Sequence, residues 1–464
     1  MKIYNSLTRK KEELIPLRPP FVNIYTCGVT VYDESHIGHA RSLFIFDLIT
    51  RYLRYRGFKV KFVRNITDID DKIINRAKEV NADWRKLVKN YIKSYYRDLK
   101  LLGIKKADFE PLATKNISDM IRYIKVLIQK GYAYESGGDV YFNVRAFKEY
   151  GKLSGQTIEE MFKCVRIEPN AFKKDPLDFA LWKASKEDEP GWDSPWGRGR
   201  PGWHIECSVM SQKFLRSYTL DIHAGGRDLI FPHHENEIAQ AEAFSGKPFA
   251  RYWLHHGLLT INGQKMSKSL GNFVTIKDFI ARYEDADLLK MFFLTTHYSH
   301  PIDYTEEKIK EAKAAKRKIL IFMEKVRRLK TPSFFRKKDF PEVQNLKNKF
   351  IEKMDDDFNT PEGLACIFEA INLGYKKETD RLFLKQLAEF ILESAKILGL
   401  TLKSQREVFV IPEAQIREKI EERNRARREK NYVLADKIRE ELAEKGIILE
   451  DGKDGQTYWR KKYE

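Results

Sequence analysis

The stretch NIYTCGVTVYDESHIGHARS, Asn23 to Ser42, constrains the fold of this chain more than any other. It begins as a buried strand ending at Tyr25 or Thr26, followed by a Gly-containing turn. A helix starts beside His36, Ile37, Gly38 and His39. From Ala40 to about Arg56 its apolar members Leu43, Phe46, Ile49 and Leu53 recur every three to four residues, which buries one face. A second strand, Phe58 to Val63, follows directly. Strand, helix and strand in this order make a β-α-β unit whose loop points at a helix N-terminus. Free N–H groups and the helix dipole favour an anion there. With a glycine between two imidazoles, a nucleotide's phosphates can approach closely. The simpler alternative is that His36 and His39 only cap the helix.

A second element bears on that choice. Lys265 to Ser269, KMSKS, lies in a loop running from Gly263 to Gly271. Lys265 and Lys268 place two mobile ammoniums where charge develops on phosphate oxygens. A solvated lysine loop is the bland reading. HIGH near the start and KMSKS far downstream on an α/β chain resemble the class I aminoacyl-tRNA synthetases. Further blocks are similar to the cysteinyl-tRNA synthetase family: TCGVTVYD from Thr26, RNITDIDDKI from Arg64, GRPGWHIECS from Gly199, FPHHENEIAQ from Phe231 and KMSKSLGNF from Lys265. The resemblance runs from the first strand to Trp459. It implies an α/β fold: a Rossmann-like parallel-sheet catalytic domain split by an insertion, then an α-helical bundle and a small C-terminal α+β unit.

At 464 residues the chain exceeds what one hydrophobic core usually serves, so three or more units are expected. With 42% hydrophobic and 33% charged residues it can bury cores and stay soluble. It has no apolar run of about 18 residues to span a membrane. The segment MKIYNSLTRKKEELIPL has no secretory pattern, and Glu12 and Glu13 argue against a transit peptide. Cys27, Cys164, Cys207 and Cys366 are too few and too scattered for a disulfide framework, so a reducing cytoplasm is the expected location. The net charge of +18 points to a polyanionic partner. Lys313 to Lys330, KAAKRKILIFMEKVRRLK, reads as a helix with one packing and one basic face.

Along the chain, residues 1–115 are expected to form the first catalytic half, including one helix from Val80 to Leu102. Residues 116–200 form an insertion with a helix over Asn116 to Gly131, a strand over Asp139 to Asn143 and an ordered loop region from Phe172 to Pro201. The second half, 201–260, includes a strand from Thr219 to His223, and 261–305 carries KMSKS. Residues 306–410 read as a helical bundle, because Ile276 to Phe293, Glu306 to Leu329, Glu342 to Asp355, Pro361 to Leu373 and Glu378 to Leu398 all show helical apolar spacing. The tail, 411–464, has clustered Arg423, Arg425, Arg427 and Arg428 and a strand-turn-strand end with Tyr458 and Trp459. Arginine and aromatic side chains suit unstacked bases, and a helix laced by ion pairs is the structural alternative.

Six of the ten histidines fall between His204 and His256. Cys207, His223, His233, His234, Glu235 and Glu237 together offer the thiolate, imidazole and carboxylate donors that zinc takes. Spacing alone does not choose among them. The resemblance does: it implies one Zn²⁺ per chain on Cys27, Cys207, His233 and Glu237. It further implies that Gly28 and Thr67 line the amino-acid pocket, that Trp203 and His223 wall it, and that Asp228 holds the substrate ammonium. His36, Gly38, His39, Lys265, Ser267 and Lys268 would bind ATP, accompanied by Mg²⁺, with the two histidines and two lysines catalytic. Arg423, Arg425, Arg427, Arg428 and Trp459 would contact tRNA. The implied activity joins L-cysteine to tRNA(Cys) through cysteinyl-adenylate, by a monomer with neither a DNA nor a membrane partner. Two alternatives are a related ligase that charges a small amine and an inactive RNA-binding homologue. An RNA-reading tail argues against the first, and intact HIGH, KMSKS and zinc ligands argue against the second.

Overall fold

Four parallel strands carry the site. In the computed structural model, which describes residues 1–164, 172–267, 270–329, 340–402, 412–451 and 456–461, these are β1 (Phe21–Thr30), β2 (Lys59–Thr67), β3 (Leu220–Gly226) and β4 (Ala250–His256). Their order is β4-β3-β1-β2. Sequence order reverses between β3 and β1, and in open parallel sheets ligands bind outside the carboxyl ends of the strands at such a point. Helix α1 (Ile37–Tyr55) follows β1, α2 (Trp203–Leu215) precedes β3, and α3 (Glu235–Ser245) joins β3 to β4.

Both strands of the first unit are longer than periodicity indicated. β1 continues through Cys27 and Gly28 to Thr30, and β2 reaches Thr67. Helix α1 starts at Ile37, three residues before the expected Ala40, because the His36 side chain caps it. Leu43, Phe46, Ile49 and Leu53 are buried, and so are Phe44, Ile45, Leu48 and Tyr52. Helices Ile276–Tyr283, Ala286–Leu294 and Arg381–Ile397 pack on α1, so its second face is covered as well.

Two expected helices have other bounds. The one expected over Val80 to Leu102 begins only at Trp84, behind the Asp83 cap, because Val80 ends the preceding helix Asp71–Glu79 and Asn81 is left-handed. Ile276 to Phe293 breaks at Glu284 (φ 51°), after which Asp285 accepts the Asp287 N–H. The expected loop region Phe172 to Pro201 contains strands Phe179–Ala184 and Gly199–Pro201. They join Ala133–Ser136 and Asp139–Phe142 in a four-stranded antiparallel sheet around buried Trp182. These strands are too short, and too interrupted by turns, to show a period.

Residues 1–402 form one compact unit and 403–464 a second. In the first, the helices Glu306–Arg328, Pro341–Asp355, Thr360–Lys376 and Arg381–Ile397 share a continuous apolar core with the sheet, from Ile24 and Phe44 to Phe322, Phe350 and Leu387. Within the basic stretch, Lys316 is buried and pairs with Asp285 at 2.5 Å, so that helix is not uniformly a solvated cationic face. Lys330 lies outside the described residues. Among the described residues no helix is long and apolar enough to cross a membrane.

The second unit packs helices Glu413–Arg428 and Tyr432–Glu444 and the hairpin Ile447–Asp451/Thr457–Lys461 around Ile416, Ile420, Ile438, Leu442, Ile447 and Leu449. Trp459 packs against this core. Arg423, expected among the RNA contacts, is buried, and its guanidinium holds both Asp451 oxygens at 2.9 and 3.0 Å. Arg427 reaches the same carboxylate at 2.8 Å from an exposed position, while Arg425 and Arg428 are exposed. Arg423→Ala therefore lowers the stability of this unit by about 1.5–3 kcal/mol, the range for hydrogen bonds to charged groups. Chemical denaturation of the full chain checks this.

Candidate metal centre and nucleotide loop

Four donors from three elements converge at the carboxyl end of β1. A bulge puts Cys27 there, Cys207 lies one turn into α2, and His233 and Glu237 project from one face of the turn leading into α3, four residues apart. Their ligand atoms all lie within 4.8 Å of one another. Glu237 Oε1 is 2.7 Å from His233 Nε2 and 3.2 Å from Cys27 Sγ, and Cys207 Sγ is 3.6 Å from the same imidazole nitrogen. Cys27 is half-buried and the other three are buried, beside Tyr25, Phe249 and Trp253.

A second set, Cys27, His223, His234 and Glu237, is equally close. Its histidines touch the two residues that both sets share, Cys27 and Glu237. His223 Nε2 meets the other Glu237 oxygen at 2.5 Å and its ring stacks on Trp253, centroids 4.5 Å apart. Expected as a pocket wall, His223 is fully buried behind Glu237, whose carboxylate it orients. His234 sits between Cys27 Sγ (3.4 Å) and His255 Nε2 (2.8 Å). On the first set, His204 Nδ1 lies 2.9 Å from His233 Nδ1. Ligands backed by outer partners are what an oriented metal site needs, and two sulfurs, an imidazole and a carboxylate match zinc chemistry. Burial, then the neighbouring Cys207 and Glu237, push the Cys27 thiol well above its ordinary range. Burial opposes the charge on Glu237, yet His223 and His233 hold it well below the usual carboxylate range.

In the HIGH loop both histidines take part in capping α1. His36 Nδ1 accepts from Gly38 N (3.1 Å) and His39 N (3.3 Å), while the His36 N–H donates to His39 Nδ1 at 3.3 Å. Burial lowers His36 to about 4 and His39 to about 3, so both are neutral at pH 7. A neutral imidazole that accepts at Nδ1 carries its proton at Nε2. Each ring, stacked 3.7 Å apart, thus has an Nε2–H to donate rather than a positive charge.

The described part of the KMSKS segment lies beside the HIGH loop. Ile37 N–H donates to Val274 O at 3.0 Å and Ile276 N–H to Ser35 O at 2.9 Å, tying the two loops together. A Cβ on Gly38 would lie 3.5 Å from Met266 Cε. Asn272 clasps the loop by accepting from Ser267 N (2.8 Å) and donating to Lys265 O (3.2 Å). Lys265 is exposed on the short strand Gln264–Lys265, and Lys268 lies outside the described residues.

Periodicity did not single out Arg41. Buried in α1, it donates to the carbonyls of Gly257, Leu258, Tyr298 and His300 at 2.5–3.3 Å, fixing the start of α1 to the segment after β4. His204, His234 and His255 lay in the visible histidine cluster, but their supporting roles exist only in three dimensions. Among the expected pocket residues, Trp203 stacks on His233 (centroids 4.0 Å), and Thr67 Oγ1 donates to buried Glu206 at 2.8 Å. Gly28 follows Cys27 on β1, and exposed Asp228 lines a cavity of about 670 Å³ with His204, Arg227 and Phe231.

The model of the class I (C) tRNA synthetase catalytic domain matches residues 13–314, the DALR domain 349–403, and the cysteinyl-tRNA ligase anticodon binding domain 417–460. The cysteine–tRNA ligase of Persephonella marina is 49% identical over the full length of both chains. That of Aquifex aeolicus is 48% identical over 100% of this chain and 99% of its own. Among solved structures, Mycobacterium tuberculosis methionyl-tRNA synthetase with methionyl-adenylate shares the fold at TM-score 0.61 and 16% identity, over 82% of this chain and 90% of its own. Agrobacterium radiobacter LeuRS in a ternary complex also matches at 0.61, with 11% identity over 84% and 86%. A catalytic-domain match over residues 13–314 and full-length identity near one half lead to one conclusion: the chain belongs to the cysteine–tRNA ligase family of class I aminoacyl-tRNA synthetases.

Proposed function

We propose that the chain activates L-cysteine with ATP and transfers it to tRNA(Cys), in the cytoplasm. The observation that carries this reading is the juxtaposition of a two-sulfur donor set, at the end of β1, with the histidine-capped helix N-terminus that follows a few residues later. A cysteine carboxylate oxygen attacks the α-phosphorus of ATP. The α–β phosphoanhydride bond breaks, and pyrophosphate leaves with the electron pair. Neutral His36 and His39 donate Nε2–H bonds to phosphate oxygens, and Lys265 and Lys268 take up charge as it builds on the leaving group. Mg²⁺ arrives with the ATP phosphates. A ribose hydroxyl at the tRNA terminus then attacks the adenylate carbonyl and AMP departs.

Cys27, Cys207, His233 and Glu237 would hold Zn²⁺, whose chemistry favours a thiolate over a neutral hydroxyl. Serine is nearly isosteric with cysteine, and an apolar pocket would reject it poorly. Trp203 and Thr67 shape the pocket around the side chain, and Asp228, at the cavity edge, receives the ammonium.

The work divides along the chain. Residues 1–115 and 201–260 hold ATP and cysteine, and 261–305 carries KMSKS and contacts the tRNA stem. Residues 116–200 are the connective insertion, 306–410 the helical bundle, and 411–464 reads the anticodon through exposed Arg425, Arg427 and Arg428 with Trp459. Cysteine-dependent exchange of pyrophosphate into ATP, followed by charging of purified tRNA, tests the reading. Exchange without charging would replace it with a small-amine ligase.

A further inference from the structure

The β1–β2 ladder slips at one place. Thr26 pairs with Arg64 and Val29 with Ile66, so Cys27 and Gly28 together face the single residue Asn65. A bulge of this kind costs a ladder bond and re-aims a side chain. Here a side chain replaces the lost bond: the Gly28 N–H donates to Asn65 Oδ1 at 2.8 Å. Gly28 has no room for anything larger than hydrogen, since a Cβ would fall 1.5 Å from the Asn65 backbone oxygen. The same Oδ1 lies 3.7 Å from Cys207 Sγ. From the other end of the amide, Nδ2 donates to Thr67 Oγ1 at 3.2 Å, and Thr67 Oγ1 donates to Glu206 Oε2 at 2.8 Å. Asn65, Thr67 and Glu206 are all at most 2% exposed. The string therefore begins on the residue after one sulfur ligand and ends on the residue before the other.

We propose that Asn65 is a positioning residue that sets Cys27 and Cys207 at metal-binding separation, by pinning the bulge on one side and bracing the start of α2 on the other. The inference rests on the metal reading above. An amide fits the position because it accepts and donates at once. Alanine would take the acceptor from the half-buried Gly28 N–H and leave Thr67 without its donor. Aspartate would keep the acceptor for Gly28.

Cobalt(II) is the probe, titrated into metal-stripped full-length protein against a competing chelator while the sulfur-to-cobalt and ligand-field absorption bands are recorded. Asn65→Ala is expected to lose about 10- to 100-fold in cobalt affinity, the range for removing an outer-shell partner. Its ligand-field bands shift, and the KM for cysteine rises while that for ATP holds. Asn65→Asp recovers most of the affinity. Wild-type affinity and bands in Asn65→Ala would overturn the proposal, and so would an Asn65→Asp variant no better than Asn65→Ala. Should the alanine variant fail to fold, the aspartate variant decides alone: near-wild-type affinity supports the proposal and a loss as deep as that of Cys207→Ala refutes it. If the wild-type protein takes up no cobalt, the metal reading itself falls and the inference falls with it.

Discussion

Cys207→Ala abolishes stoichiometric metal binding and slows cysteine-dependent pyrophosphate exchange by about 10³-fold or more, roughly 4 kcal/mol at 1.36 kcal/mol per decade. Cys207 is buried at the centre of the donor set, 3.6 Å from His233 Nε2. Its removal takes away one of two sulfur donors. His223 and His204 still hold Glu237 and His233, so the remaining site keeps its shape but not its affinity for a soft cation. The fold survives, because the sheet and α2 are secured by Ile205, Val209, Met210 and their apolar neighbours. Metal analysis of the purified variant alongside the exchange assay checks both parts. Full metal content with full cysteine activation would show that Cys207 is no ligand.

Lys265→Ala slows adenylate formation by about 10²- to 10³-fold, the effect of removing one preorganised charge donor, and leaves metal content unchanged. The Lys265 side chain is exposed and solvated at rest. Its interaction becomes strong only as charge develops on the leaving pyrophosphate, so the loss falls on the chemical step rather than on ground-state binding. Asn272 fixes the backbone of Lys265 and Ser267, so the loop keeps its path when the side chain is truncated. Single-turnover formation of cysteinyl-adenylate measures the step. A raised KM for ATP with an unchanged rate constant would reassign Lys265 to simple binding.

What was legible in the sequence was local. The apolar positions of α1 and the order of the β-α-β unit follow from period and propensity, and the chemistry of HIGH follows from its residue types. The misses have physical causes. Periodicity reports one buried face, whereas α1 is covered on both, and its first turn depends on a histidine acting as N-cap, a role usually filled by Ser, Thr, Asp or Asn. The late start at Trp84 and the break after Tyr283 turn on left-handed Asn81 and Glu284, where neither glycine nor proline marks the change. The histidine cluster was visible, but whether a ring binds metal or braces a ligand depends on which nitrogen faces which atom across three elements. Arg423 belongs to an arginine run that suits RNA, and the carboxylate that claims it lies on a hairpin further along the chain.

The account rests on a metal ion choosing sulfur over oxygen beside the ATP loop. The direct measurement is pyrophosphate exchange with cysteine and with serine on the same protein, metal-stripped and then reloaded with zinc. The expected result is a strong preference for cysteine that collapses on stripping, through loss of cysteine activity, and returns with one zinc per chain. An undiminished preference in metal-free protein would contradict it.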